Sequence, residues 1–366
     1  MNVEVDLTAR EKTPRWLAYV VPVFTVLAAL AVSAVVLLVI DINPLEAYST
    51  MFVETLTSEL GQTETVRTAV PLILTGLAVY LPLKAGLFNI GAEGQLVFGA
   101  LAGTWIGLNV SLPGIALVPL MFLAAGIAGS FLAAIPAYLR ARWDINEIIT
   151  SLLLSFVALE LMSYMVRGPM QGSAGNFPQT DQFSAAATIP SVFMDVHAGI
   201  LVALLMVALT YLVMTRTRLG FEITFIGSND EAAIQAGMSK YKVYLTVFLL
   251  GGAVAGLGGI SEIAGVQGRL RASFEPGYGF TAIPIALLGR NSAIKVTLAA
   301  LFFALLFTGG TNMEVFLGIP ASLVEVIQAL IILFLITGEF FKKYRVSIDL
   351  NRSLAPMPAD PQKGDD

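Results

Sequence analysis

The sequence predicts an all-α polytopic membrane protein of about ten transmembrane helices, arranged as two inverted repeats with short or broken helices at their centre. Composition is the first reason. Of 366 residues, 56% are hydrophobic and 13% charged, with a mean hydropathy of +0.79, far outside the soluble range. Apolar runs are the second: Trp16 to Ile40, Leu152 to Val166, Ile200 to Met214 and Leu323 to Thr337 approach or exceed the ~20 residues that cross hydrocarbon as a helix. They do not alternate, which excludes a β-barrel. Basic residues are the third. With a cytoplasmic N-terminus, 17 of the 21 lysines and arginines fall in inside segments and only Arg67, Arg167, Arg269 and Arg271 outside, so both termini are expected in the cytoplasm.

Taken in order, residues 1–16 form a cytoplasmic segment, 17–345 the transmembrane domain and 346–366 a disordered, acidic, proline-containing cytoplasmic tail. Arg10, Lys12 and Arg15 precede a run too long for a signal-peptide core, so it reads as a retained first helix, Leu17 to Ile40. An acidic loop with room for a short amphipathic helix follows from Asp41 to Glu64. The expected helices are then Val66 to Leu83, short and holding Pro71 and Pro82; a third reaching Leu108; Ile115 to Leu139; and Asn146 to Val166. After a polar connection from Arg167 to Asp195 come Val196 to Met214, Val243 to Ile263, a short segment Phe280 to Leu288, Ala293 to Leu306 and Ala321 to Phe341.

Everything turns on Gly86-Leu87-Phe88-Asn89-Ile90-Gly91-Ala92-Glu93-Gly94-Gln95 at the start of the third helix. Lipid satisfies neither these polar groups nor exposed backbone, so protein must surround them. The stretch reads as an unwound or re-entrant helix start lining a pathway. Gly91, Gln95, Gly99, Gly103 and Gly107 recur every fourth residue, a stripe without bulk for close helix approach. Asn89 and Glu93, four apart, belong to another face. Glu160, Glu262 and Glu325 are the other intramembrane acidic candidates. Gly277-Tyr278-Gly279-Phe280 introduces a second short segment much as Gly86-Leu87-Phe88-Asn89 introduces the first, and an odd number of crossings between them implies opposite orientation.

A cytoplasmic segment, 219–240, holds a helix of about two turns. Asn229 or Ser228 caps it, Asp230 and Glu231 occupy its first turn and Gly237 stops it. So short a helix must rest on something, and Ala232, Ala233 and Ala236 give it a surface that fits a partner's groove.

Several chemistries are excluded. There is no cysteine, so no disulfide, thiolate metal site or cysteine nucleophile; His197 is the only histidine; and no Gly-Lys pair exists to form a phosphate-binding loop. No cofactor, metal or nucleic-acid partner is expected, and a membrane enzyme ranks last. An ion-coupled carrier would pair acidic with basic groups at the midplane, and no such set is apparent.

The broken stretch, the run Asn146-Glu147-Ile148-Ile149-Thr150, and Gly227-Ser228-Asn229-Asp230-Glu231-Ala232-Ala233 through Gly237 together resemble the permease subunits of ABC importers for ribose, branched-chain amino acids and nucleosides. The resemblance covers about Arg15 to Arg345. Its Gly-Ala-Glu-Gly-Gln form is most similar to the nucleoside branch. It implies a plasma-membrane, multi-pass transport subunit, without enzymatic activity, for a nucleoside or alternatively a sugar. It also implies separate ATPase subunits that bind the ATP, a second permease (identical or homologous) and an extracytoplasmic binding lipoprotein. In that family Gly227 to Gly237 would be the coupling helix, seated in the ATPase. Asn89, Glu93, Gln95, Asn146 and Ser155 are then the pathway candidates. Relatives commonly carry asparagine where this chain has Ser155, which leaves the ligand open.

Overall fold

Apolar runs make helices here because hydrocarbon forces each backbone to satisfy its own hydrogen bonds. The computed structural model describes residues 2–9, 15–173, 175, 177–290 and 292–351. Its helices are α1 (Arg15–Val39), α2 (Pro44–Tyr48), α3 (Thr55–Thr57), α4 (Glu59–Lys84), α5 (Ala92–Asn109), α6 (Gly114–Trp143) and α7 (Glu147–Arg167), followed by α8 (Gly199–Arg216), α9 (Arg218–Ser228), α10 (Asp230–Gln235), α11 (Lys240–Glu262), α12 (Tyr278–Leu288), α13 (Ala293–Leu317) and α14 (Ala321–Lys343). Strands are β1 (Asn2–Ala9), β2 (Ser191–Phe193), β3 (Val196–His197) and β4 (Tyr344–Asn351), and π-helical turns lie at Ser49–Glu54 and Ile263–Gln267.

The chain forms two units, Met1–Val36 with Ala329–Asp366, and Leu37–Gln328. In the first, β1 and β4 pair antiparallel from Asn2 opposite Asn351 to Ala9 opposite Tyr344, and Gly338 lies against Val21 and Thr25. Residues 346–351 are thus extended and paired, where a disordered tail was expected. Residues 352–366 lie outside the described residues.

Among the described residues, seven helices are long and apolar enough to cross a membrane: α4, α6, α7, α8, α11 with its π turn, α13 and α14. Of the other three expected crossings, α1 is 25 residues long, with Val23–Val39 as its described apolar stretch, whereas α5 and α12 fall short of that standard: α5 begins with Glu93 and Gln95, and α12 has 11 residues. At 1.5 Å per residue, α12 spans about 16 Å, half the ~30 Å hydrocarbon thickness.

The second unit is built around α4 and α11. α4 runs unbroken through Pro71 and Pro82, and all residues from Ala69 to Leu83 are buried. α11 packs on α4, α5 and α6 at van der Waals backbone distance. A Cβ at Gly256 would meet the Ala125 carbonyl of α6, one at Gly259 the Leu96 carbonyl of α5, and one at Gly251 the Ala78 carbonyl of α4. The long connection after α7 straps across the end of α11: Thr180, Phe183 and Ile189 donate their N–H to the carbonyls of Leu270, Gly268 and Ala264 at 2.9, 2.9 and 3.0 Å.

Two segments differ from expectation. α13 continues to Leu317, past Gly309 and Gly310, because those glycines admit the Met51 backbone and the Gln328 side chain, and Asn312 donates to Thr55 Oγ1 at 2.7 Å. The acidic segment before residue 64, expected to hold at most one short helix, is largely helical, with Ser58 capping α4 through Gly61 N–H at 3.1 Å.

Candidate functional site

The break between α4 and α5 is closed at its first end by a Schellman turn. Gly86 takes φ +79°, its N–H reaches the Leu83 carbonyl at 3.2 Å, and the Leu87 N–H reaches that of Pro82 at 3.0 Å. Three residues later the polar groups begin to pair. Asn89 and Gln95 exchange amide hydrogen bonds of 2.9 Å each way, and each is 1% exposed. Asn89 Nδ2 also donates to the Ala78 carbonyl at 3.4 Å. Asn89 therefore precedes the helix and pairs with a member of the expected glycine stripe, where a separate polar face shared with Glu93 was anticipated.

Glu93 is fully buried. Its Oε1 accepts from Gly277 N–H at 2.9 Å and its Oε2 from Gly279 N–H at 2.6 Å. These amides open α12, whose N-cap Gly277 sits at φ +69° and has no side chain to offer. A carboxylate from α5 thus supplies the missing cap, where the helix dipole favours negative charge. The two broken helix starts identified in the sequence meet at this point.

Behind them, Ser155 Oγ accepts from Gly94 N–H at 3.2 Å, and Gly91 and Gly94 lie against Ser151 and Ser155 of α7 with no room for a Cβ. Asn146 is exposed and caps α7, accepting from Ile148 N–H at 2.8 Å. Its neighbour Glu147, which the sequence did not single out, accepts from Phe88 N–H at 3.3 Å and pairs with Arg140 at 3.2 Å. Of the stripe, Gly99 meets the Gly256 backbone and Gly103 the Ile260 side chain, while Gly91 faces α7 and Gly107 faces Met121 and Phe183. Four residues advance a helix by about 400°, so each step turns the stripe about 40° and it serves three neighbours in succession.

The cytoplasmic segment is two helices. α9 was not anticipated; Phe221 and Phe225 stack at 5.6 Å, and Ile223 and Ile226 are buried. In α10, Asn229 Oδ1 accepts from Ala232 N–H at 3.0 Å, and Gly237 ends the turn at φ +82°. Glu231, Ile234, Gln235, Ala236 and Gly237 are exposed, Ala232 is half-buried and Ala233 is buried. Asp230 pairs with Lys240 at 2.8 Å, and that hydrogen bond holds its carboxyl below the usual range. Gly227, near the end of α9, is the contact with the site: a Cβ there would strike the Lys84 carbonyl, and Gly86 faces it across the same contact.

Glu160 and Glu325 are exposed, whereas Glu262 is 7% exposed at the end of α11. Among the described residues no three His, Asp or Glu side chains gather as a metal site. An apolar groove of about 1300 Å³ runs beside α6 and α11, past Phe122, Ile127 and Leu257. A more polar cavity of about 810 Å³ lies by Asn109, Gln171, Asp181 and Gln182. Neither includes Asn89, Glu93 or Gln95.

The family described as branched-chain amino acid transport system / permease component matches residues 63–336. The chain is 67% identical to a glucose ABC transporter permease protein of Haloferax volcanii, over 100% of this chain and 99% of that one. It is 33% identical to a guanosine ABC transporter permease protein of Bacillus subtilis, over 86% and 92%. It is 32% identical to a nucleoside ABC transporter permease protein of Lactococcus lactis, over 86% and 90%.

Proposed function

The chain belongs to the branched-chain amino acid transport system permease family, and from that membership we propose that it is the membrane-spanning subunit of an ATP-driven importer for a small hydroxylated solute. The observation that carries the reading is α10, a capped two-turn helix with an exposed face, tied through Gly227 to the broken helix start. ATP closing a pair of separate ATPase subunits displaces α10, and the contact of Gly227 with Lys84 and Gly86 passes that movement to the α4–α5 break. Asn89, Glu93, Gln95 and Ser155 hold α4, α5, α7 and α12 in register, with Asn146 capping α7, and so frame the pathway without offering free groups to the solute. A second permease and an extracytoplasmic binding lipoprotein complete the importer. Both termini lie in the cytoplasm, and ten crossings in two inverted units bring the two broken starts together.

Sequence motifs favour a nucleoside as solute. Identity of 67% with a glucose permease, against 33% with a guanosine permease, moves the preference to a sugar. The test is uptake by the full importer in proteoliposomes, with labelled glucose and guanosine as solutes. ATP-dependent uptake that is lost, with ATPase turnover retained, on Glu231→Arg or on deletion of Ala232 and Ala233 supports the reading. Uptake by this chain alone, driven by a sodium or proton gradient, refutes it.

A further inference from the structure

The importer reading leaves open which groups touch the solute. Resting on that reading, we propose that Glu262, Gln267 and Tyr278, gathered where α11 gives way to α12, form a subsite for two neighbouring hydroxyls of a sugar ring, in a free pyranose or in the ribose of a nucleoside. The backbone prepares the place. α11 ends in the π-helical turn Ile263–Gln267, and its wider spacing brings residue 267 over residue 262, where Gln267 Nε2 donates to Glu262 Oε1 at 3.2 Å. Such π turns concentrate at functional sites.

Glu262 also keeps an unengaged acceptor. It is 7% exposed and makes no ion pair, and no described residue donates to its Oε2. Fully enclosed side-chain atoms without a hydrogen bond occur among the described residues at Thr104, Arg140, His197 and Thr308, and neither Glu262 nor Tyr278 is among them, so their open oxygens are not fully enclosed. Glu93, by contrast, has both oxygens committed to backbone. Tyr278, which opens α12, packs on the cluster that holds Ile260 and Ile263, the residues flanking Ser261 and Glu262 at the end of α11. The Tyr278 ring packs against the cluster that contains Leu96, Ile260 and Ile263, so the polar tip stands beside an apolar wall.

A carboxylate oxygen beside a carboxamide complements two adjacent hydroxyls, one donating to Glu262 Oε2 and the next to Gln267 Oε1, with the phenol as a further partner. A hard cation would find one carboxylate and no shell of oxygens. Single contacts of this kind keep binding weak, as release into the cytoplasm requires.

The experiment measures binding to the full chain in lipid nanodiscs by saturation-transfer NMR, with D-glucose, guanosine and 2′,3′-dideoxyguanosine as probes. Glu262→Gln and Tyr278→Phe keep volume and packing, and the thermal midpoint of each variant is read alongside. Each variant is expected to weaken glucose or guanosine binding about tenfold, the scale of one hydrogen bond to a charged group. Loss for glucose alone identifies a pyranose site. Loss for guanosine, with dideoxyguanosine about tenfold weaker than guanosine on the native chain, identifies a ribose site. Unchanged binding in both variants, equal binding of the two guanosines where guanosine is the ligand, or no binding of glucose or guanosine to the native chain overturns the proposal. Such a result beside intact ATP-dependent uptake removes the subsite and leaves the importer reading standing; absent ATP dependence removes the importer reading, with the binding data still legible.

Discussion

Glu93→Gln tests the central joint of the fold. In the native chain the two carboxylate oxygens accept from Gly277 and Gly279 at 2.9 and 2.6 Å, wholly away from solvent. A glutamine keeps one acceptor and turns an N–H₂ group toward a backbone N–H, so at least one amide of α12 is left facing a donor. Loss of a charge-assisted bond is worth ~1.5–3 kcal/mol and an unpaired buried donor ~1–3 kcal/mol, which together put the change at roughly 2.5–6 kcal/mol. Because 1.36 kcal/mol is one decade, local opening of the Gly277–Tyr278–Gly279 amides should become between about 70-fold and roughly 20,000-fold easier. Hydrogen exchange measured by mass spectrometry on a peptide covering residues 275–281, with the protein in nanodiscs, reads this directly. Protection in the variant within about threefold of native would show that α12 does not depend on Glu93 and would refute the cross-helix cap.

Gly99→Leu drives a side chain into the Gly256 backbone, which has nowhere to move; the expected cost is at least about 3 kcal/mol and loss of a monodisperse peak in size-exclusion chromatography. Gly107→Ala meets the flexible tip of Met121 and comes into ordinary contact with the Phe183 ring edge, and its thermal midpoint should shift by no more than the equivalent of about 1 kcal/mol. Gly227→Ala forces the α9 end away from the Lys84 carbonyl; the protein should still insert, with uptake per ATP hydrolysed reduced several-fold. His197 is 1% exposed, and burial, then the Arg67 guanidinium, push its imidazole down to about 4. A lowered folded value means stability that is complete above the unfolded value of about 6.5 and is lost as pH falls from there toward 4, up to roughly 3 kcal/mol. The thermal midpoint should therefore drop between pH 7 and pH 4.5, and His197→Asn should flatten the profile.

Long apolar helices were legible because burial in lipid leaves one pattern: α6, α7, α8, α11 and α14 begin and end within a few residues of where hydropathy placed them, while α4 starts seven residues earlier than expected, at Glu59 rather than Val66. The cap of α10 was legible too, since Asn229 and Gly237 act locally. What was hidden depends on distant partners. The helix expected to end at Leu306 runs on through Gly309 and Gly310, which make room for Met51 and Gln328. α9 was obscured by Gly220 and Gly227, both of which are contact points for neighbouring backbone. The pairing of Glu93 with amides 184 and 186 residues away has no local trace; only the cost of a buried carboxylate announced that some partner must exist. Asn89 and Gln95 looked like separate faces because the sequence does not show where the helix begins.

The distance in chain between that carboxylate and its amides has a biosynthetic consequence. Ribosomes add about 5–20 residues per second, so roughly 10–40 s pass between the emergence of Glu93 and that of Gly277. Throughout that interval the nascent segment carries an acidic group whose transfer to the bilayer centre is disfavoured by about 2.5–3.5 kcal/mol. The α5 segment accordingly has to wait at the interface or within the insertion machinery, and it settles into its final depth only when the far half of the polypeptide arrives to receive it.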